Sequence, residues 1–310
     1  MKISGFSYIR NGFKYQYPFL ESIKSILPIC DEFVIAVGKS EDGSELALLE
    51  LQKQEPKLKI IHTVWDEQLR QSGKIFAQQA NIALKECTGD WLFHIQADEL
   101  IHEEDIFKIK ANLEQVNKDQ SINGILFNFL HFHCNYFHLD ASRWRHPKEI
   151  RIVRNKQNIF SYKDSQGFRQ YPSWQSYEQG HKGLKIKVKH FEISVFHYSY
   201  VRSAAAMQTK AQYFETFWHE QAALQQKYAA AKPEFDYYQI DKVKKWEGSH
   251  PALIQHLVAT ENTEFDAKKI SGIKGFKLKF IYWLESLIGW RIGEYKNYKL
   301  FILLSFCQWQ

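Results

Sequence analysis

The strongest constraint on how this chain can fold is a regular alternation of short apolar runs with helical periodicities over its first 130 residues. Lys2 to Ile9 alternates apolar with small or polar residues, as a strand does, while Phe19, Leu20, Ile23, Ile26 and Leu27 within Pro18 to Leu27 share one helical face. Glu32 to Val37 and Leu58 to Thr63 read as further strands, separated by the polar turn Gly38 to Gly43 and a Leu-rich helix reaching about Gln54. A helix over about Ile75 to Glu86 puts Phe76, Ala80, Ala83 and Leu84 on one stripe. It ends at Thr88-Gly89-Asp90, before the strand Trp91 to Gln96. Strands alternating with helices call for a parallel sheet covered on its faces. The expected fold class is therefore α/β: a Rossmann-like, mostly parallel sheet flanked by helices. Ligands belong outside the carboxyl ends of its strands, where the strand order reverses.

Past a helix around Ile106 to Val116 the pattern loosens. Strand-like runs follow at Gly124 to Phe132, Glu149 to Val153 and Phe191 to Tyr198, then a long helix over about Ser203 to Ala231 that breaks near Pro233. The remainder is helical or irregular and rich in aromatics. This divides the chain into residues 1–120, residues 121–232 as the second half of the same domain, and a helical extension over 233–310. With 310 residues and 45% hydrophobic content the chain can bury a sizeable core, and its 7 prolines and 15 glycines mark no linker.

Cys30, Cys87, Cys134 and Cys307 lie far apart in neither a metal-ligand nor a disulfide-scaffold spacing, which fits a reducing compartment. No apolar leader block follows Met1, so the expected location is cytoplasmic. The net charge of +6 is concentrated in residues 268–299, which hold eight Lys/Arg against Glu285 and Glu294, so the main body is balanced. That distribution argues against a nucleic-acid groove.

The chemistry-bearing signal is Gln96-Ala97-Asp98-Glu99, at the end of the apolar strand Trp91-Leu92-Phe93-His94-Ile95. Taken alone, Asp98 reads first as the cap of a following helix. Two other polar loops shift that reading: Arg10-Asn11 after the first strand and Ser40-Glu41-Asp42-Gly43-Ser44 after the second belong on the same sheet edge. There an Asp can accept from a nucleobase or ribose, Arg10 can pair with a base carbonyl or phosphate, and Asp98 can ligate Mg²⁺ or Mn²⁺. No Gly-rich phosphate loop follows any strand, so a diphosphate held here needs a metal ion or cationic side chains, which Asp98 and Gly73-Lys74 offer.

Phe6 to Asn11, Asp31 to Ile35 with Glu41 to Ser44, Gly73-Lys74 with Asn81 to Leu84, and Thr88 to Trp91 through Asp98-Glu99 together resemble the family 2 glycosyltransferases of the A-type nucleotide-sugar fold. The resemblance implies that Arg10 and Asp42, with Asn11, Glu41, Lys74 and Gln96, serve the nucleotide-sugar donor, and that Asp98 is the metal ligand closing an Asp-x-Asp-like pattern. Gln96 stands in place of the first Asp of that pattern and removes one negative charge. His197 looks like the histidine that completes the metal or diphosphate site, with a buried hydrogen-bonded histidine as the equal alternative.

Inverting transfer needs a carboxylate to take the acceptor hydroxyl proton. Asp164, in a turn-rich loop, is the first candidate and Glu149, beside Arg151 and Arg154 at a strand start, the second. Lys74 or Arg151 would assist the metal in neutralising the leaving diphosphate. The expected partners are a nucleotide diphosphate sugar, a saccharide or lipid-linked acceptor, and an anionic membrane surface through residues 268–306 at the inner face of the cytoplasmic membrane. The equal alternative for that basic, aromatic tail is a terminal helix packed on the main domain. Cell-envelope polysaccharide or lipopolysaccharide synthesis is the implied setting. Two rival functions remain at this level: a sugar nucleotidyltransferase, and a non-catalytic membrane or nucleic-acid adaptor.

Overall fold

The computed structural model describes residues 1–155, 157–219 and 234–301. Its centre is a ten-stranded mixed sheet. The first half supplies β1 (Ile3–Ile9), β2 (Glu32–Gly38), β3 (Leu58–Thr63), β4 (Trp91–His94) and the short β5 (Glu99–Ile101). The second supplies β6 (Gly124–Asp140) and β7 (Lys148–Arg154), then a small separate sheet formed by β8 (Ile159–Tyr162), β9 (Gly167–Gln170) and β10 (Leu184–Lys185). The long β11 (Lys187–Val201), β12 (Val243–Lys245) and β13 (Lys299–Leu300) complete the set. Along the main sheet the order is β13-β11-β6-β7-β4-β1-β2-β3, and only β7 runs against its neighbours on that path.

Strand alternation sorts the core into two layers. Phe33, Ile35 and Val37 of β2 and Trp91 and Phe93 of β4 face one side, where they meet helices α1 (Phe19–Ile26), α2 (Ser44–Gln54) and, through Ile106, Ile109 and Leu113, α4 (Glu103–Val116). Val34, Ala36 and Leu92, the residues between, face the other side and pack on Ala80, Ala83 and Leu84 of α3 (Lys74–Lys85). A one-residue slip would exchange these two sets, so the pattern pins the register.

β1 pairs in parallel with both β2 and β4, while β3 lies beyond β2. The chain thus builds outward through β1, β2 and β3, then returns to the other flank of β1 as β4. That reversal makes the carboxyl ends of β1 and β4 the switch point where a ligand site belongs.

Several boundaries differ from the sequence reading. β6 and β11 each extend beyond the expected runs, because they pair along most of their length and share one parallel ladder. The helix expected from Ser203 is α5 (Ala204–Glu215), opened by Ser203, whose hydroxyl accepts from the Ala206 amide at 3.3 Å. Its expected continuation over 220–231 lies outside the described residues, as does Cys307. In the extension, a helix over Phe276–Ile288 is present. The segment after it is tied to the main body by Arg291 to the Ser142 carbonyl and by Asn297 to Arg169. Among the described residues no helix is long and apolar enough to cross a membrane.

Candidate active site

The carboxyl ends of β1 and β4 open into a cavity of about 470 Å³. Tyr8 and Ile9 reach it from β1, Arg10 from the bend just after it, and Gln96, Ala97 and Asp98 from the turn after β4. That turn is closely held. The Ile95 amide donates to the Phe6 carbonyl at 3.1 Å, extending the β1–β4 ladder, and the Glu99 amide donates to Gln96 at 3.0 Å. β5 then pairs antiparallel with β11, setting Glu99 opposite His197, while the Tyr198 amide donates to the Asp98 carbonyl at 2.8 Å.

The following helix, Glu103–Val116, is capped by His102, whose Nδ1 accepts from the Glu104 amide at 3.3 Å. Asp98 is therefore not its cap. The Asp98 carboxylate lies inside the cavity at 7% exposure, with His197 Nε2 3.7 Å from Oδ1 and Lys210 Nζ 3.7 Å from Oδ2.

The hydrogen-bond chain behind His197 fixes its tautomer. His131 Nε2 donates to the His146 carbonyl at 2.8 Å, so the neutral His131 ring accepts at Nδ1, where His197 Nδ1 lies 2.8 Å away and must donate. Both rings are held neutral, because burial pushes His131 down to about 4 and His197 well below the ordinary histidine range, where His131 and Lys210 add to the effect. His197 Nε2 thus presents a lone pair toward Asp98 Oδ1.

These two donors suit a hard or borderline cation that draws its other ligands from substrate phosphate and water. Among the described residues no third His, Cys, Asp or Glu joins them, and Gln96 turns its amide to the Ser165 carbonyl at 3.3 Å. A divalent ion here would hold on to a single protein carboxylate.

Asp164 lines the same cavity from the turn between β8 and β9, as the sequence reading placed it. Burial raises its pKa from the ordinary aspartate value, against the opposing pull of its own amide and of Lys163. Gly73 has φ +65° and packs directly on this loop, where an added Cβ would come within 2.8 Å of Asp164 Cβ. The Gly73 position thus carries a close approach of backbone to the Asp164 turn. Lys74 beside it begins α3, is exposed, and does not line the cavity.

The loops after β1 and β2 meet, but most of their polar groups clasp each other. The Ser40 hydroxyl accepts from the Asn11 amide at 2.9 Å, Asn11 Oδ1 from the Glu41 amide at 3.1 Å, and the Ser44 hydroxyl from the Gly12 amide at 2.8 Å. Asp42 accepts from the Lys14 amide at 2.7 Å and the Ser44 hydroxyl at 2.6 Å. Burial works to raise its pKa, yet these bonds prevail and hold it below the usual value. Arg10 reaches the cavity, stacked 5.3 Å from the Trp65 ring centroid, whereas Asn11, Glu41 and Asp42 do not line it.

Arg151 and Glu149 also lie away from the cavity lining. Arg151 is committed to Glu99, and Glu149 Oε1 accepts the Ile150 amide at 2.8 Å in a buried setting that raises its pKa to about 7.

Sequence reasoning missed the aromatic walls, Tyr17, Trp65, Phe76 and Tyr213, and also Lys210. Lys210 occupies the buried stripe of α5 with Met207, three residues earlier. That position on an apolar face was the available signal. Its ammonium donates to the Ser199 carbonyl at 3.0 Å and the Ser199 hydroxyl at 2.8 Å. Burial pushes its pKa well below the ordinary lysine range, with Arg202 adding to the shift and Asp98 opposing it.

A switch-point cavity carrying a carboxylate and an imidazole lone pair, with a second carboxylate on its wall, is where an α/β fold presents its polar ligand-binding groups. The sequence model described as "Glycosyl transferase family 2" matches residues 9–203, and the chain belongs to that family. It is a glycosyltransferase, which sets aside the nucleotidyltransferase and adaptor readings.

Comparison with curated proteins gave no match. Among solved structures the chain is similar to S. aureus TarS 1-349, at 14% identity and a TM-score of 0.41, covering 73% of this chain and 69% of that one. It is also similar to the mannosyltransferase PcManGT from Pyrobaculum calidifontis in complex with GDP-Man and Mn²⁺, at 16% identity and a TM-score of 0.35, covering 53% and 50%.

Proposed function

We propose that this glycosyltransferase moves a sugar from a nucleoside diphosphate sugar to an acceptor hydroxyl with inversion. Asp98 sits at the diphosphate end of the cavity and Asp164 acts as the general base. The observation that carries the reading is the presence of these two carboxylates on one cavity at the β1/β4 switch point. Their environments differ as their tasks require: Asp98 is paired with Lys210, whereas burial raises the proton affinity of Asp164.

Arg10 and Trp65 form a stacked pair on the cavity wall suited to a nucleobase or to the first phosphate. Asp98 Oδ1 and His197 Nε2 would hold Mg²⁺ or Mn²⁺, which when bound offsets the negative charge developing on the leaving diphosphate. His131 keeps His197 in the tautomer that leaves Nε2 free for this. Asp164 takes the acceptor proton at its carboxylate, and the aromatic walls exclude water while the sugar is transferred. Glu149 is not the base, because its carboxylate is turned to the Ile150 amide outside the cavity.

The acceptor is a saccharide or a lipid-linked saccharide in cell-envelope polysaccharide synthesis, used at the inner face of the cytoplasmic membrane. Phe276, Phe280, Trp283 and Leu287, spaced along one helix, are 86%, 49%, 56% and 63% exposed among Lys274, Lys277 and Lys279. A basic helix with an uncovered apolar stripe suits an anionic lipid surface.

The test is turnover of a panel of nucleoside diphosphate sugars by the whole chain. Transfer or slow hydrolysis of at least one donor is expected, with loss in Asp98→Ala and Asp164→Asn. No turnover of any donor, or wild-type rates in both variants, refutes the proposal.

A further inference from the structure

Asp98 faces one buried ammonium, and a second buried cation lies close to that ammonium. Lys210 Nζ lies 3.7 Å from Asp98 Oδ2, and two of its three N–H donors are used on Ser199. The third faces Asp98 beyond hydrogen-bond length and remains available to an oxygen entering the cavity.

Arg202, four residues past Tyr198 on the same stretch of chain, is 4% exposed, and Nε, Nη1 and Nη2 have no hydrogen-bond partner among the described residues. Its guanidinium lies 5.2 Å from the Tyr17 ring centroid and Lys210 Nζ lies 4.7 Å from the same centroid. Two cations therefore share one aromatic ring that lines the cavity; Lys210 lines it as well, while Arg202 lies outside the lining and acts across Tyr17. A buried guanidinium with every donor unmet is costly unless an anion completes it.

The residue two places before Asp98 points the same way, because Gln96 brings an uncharged amide and not a second carboxylate to this turn. A site with one carboxylate holds a divalent ion less firmly than a site with two, so more of the charge on a bound diphosphate falls to the chain's own cations.

We propose that Lys210, backed by Arg202, is a diphosphate-binding cation pair that lets this cavity hold a nucleoside diphosphate even without a divalent ion. Lys210 bridges Asp98 and the diphosphate, while Arg202 supplies the second positive charge beside Tyr17. The inference rests on the nucleoside diphosphate reading given above.

The experiment is calorimetric titration of the full chain with UDP, GDP, ADP, CDP and dTDP, and with the matching nucleosides, once in EDTA and once in Mn²⁺. At least one diphosphate is expected to bind in EDTA within about tenfold of its affinity in Mn²⁺. Lys210→Met, which keeps the apolar stem, should weaken that binding in EDTA by about tenfold or more and leave nucleoside binding unchanged. Arg202→Met should weaken it less, and Lys210→Arg should restore it to within about threefold of the wild type. Thermal melting of each variant separates loss of ligand from loss of fold, and should Lys210→Met fail to fold, Arg202→Met stands in, with wild-type binding in EDTA by that variant overturning the pair.

Binding that vanishes in EDTA and returns with Mn²⁺ overturns the cation-pair proposal and leaves the donor assignment intact. So does a folded Lys210→Met variant that binds as the wild type does. Failure of every diphosphate to bind in either condition sinks both.

Discussion

Glu99 and Arg151 share a two-pronged ion pair, Arg151 Nη2 to Glu99 Oε1 at 2.6 Å and Arg151 Nε to Glu99 Oε2 at 2.8 Å, with both side chains out of water. Glu99 Oε2 also accepts the Gln96 amide at 3.0 Å, so the pair braces the turn that presents Asp98. Arg151→Met leaves a buried carboxylate unpaired and should cost about 3–5 kcal/mol in urea unfolding. The Arg151→Met/Glu99→Gln double variant should lose less than the sum of the single losses. A loss under about 1 kcal/mol in Arg151→Met would show that the pair does not brace the turn.

Asp164→Asn should lower kcat by about 10²- to 10⁴-fold while leaving nucleoside diphosphate affinity nearly unchanged. The base must be deprotonated to act, and burial raises its pKa. The rate of the wild-type enzyme should therefore rise with pH through a limb displaced upward from the ordinary aspartate value. An acid limb displaced downward from it would speak against Asp164.

Glu149 predicts a pH dependence of stability rather than of rate. Its pKa is raised from 4.5 to about 7, first by burial, with Arg151 and the Ile150 amide opposing. The folded state binds this proton more tightly than the unfolded state does. The associated stability is therefore fully present below the unfolded value of 4.5 and is lost as pH rises through about 7. Glu149→Gln, which keeps the acceptor for the Ile150 amide, should flatten that decline. Relative to wild type it should be more stable at pH 8 than at pH 4, in urea titrations run at both values.

Arg10→Ala removes both a cavity donor and the cation stacked on Trp65. Donor affinity should fall by about 3- to 30-fold, the size of a stacking contribution of ~0.5–2 kcal/mol. Calorimetry with the nucleoside diphosphate that binds the wild type best reads this directly, and an unchanged affinity would place the nucleotide elsewhere.

For the basic helix, Phe280→Ala/Trp283→Ala should reduce co-sedimentation with phosphatidylglycerol vesicles by about tenfold or more. Binding by the wild type should weaken as salt is raised, and pure phosphatidylcholine vesicles should bind little. Equal binding by wild type and variant would remove the stripe from the membrane reading.

Much of the site's scaffold was legible in the sequence because it is local. The apolar run Trp91 to Ile95 followed by Asp98 placed a carboxylate at a strand end, and the turn-rich stretch around Asp164 placed a second one in a loop. The meeting of the Arg10 and Asp42 loops on one edge was also anticipated. What no spacing along the chain reveals is that Asp42 and Asn11 accept hydrogen bonds from amides of the neighbouring loop.

The order of apolar and polar residues by itself determined a covered α/β sheet, its two-layered core and the edge at which a ligand sits, since those follow from periods of two and 3.6 residues. Only the tertiary structure decided that Lys210 and Arg202 lie beside Tyr17 and that His131 sets the tautomer of His197. It also sent Arg151 to Glu99 and away from the cavity. Burial and pairing of charge depend on which distant segments share a low-dielectric space, and that is a property of the packed fold and not of any stretch of chain.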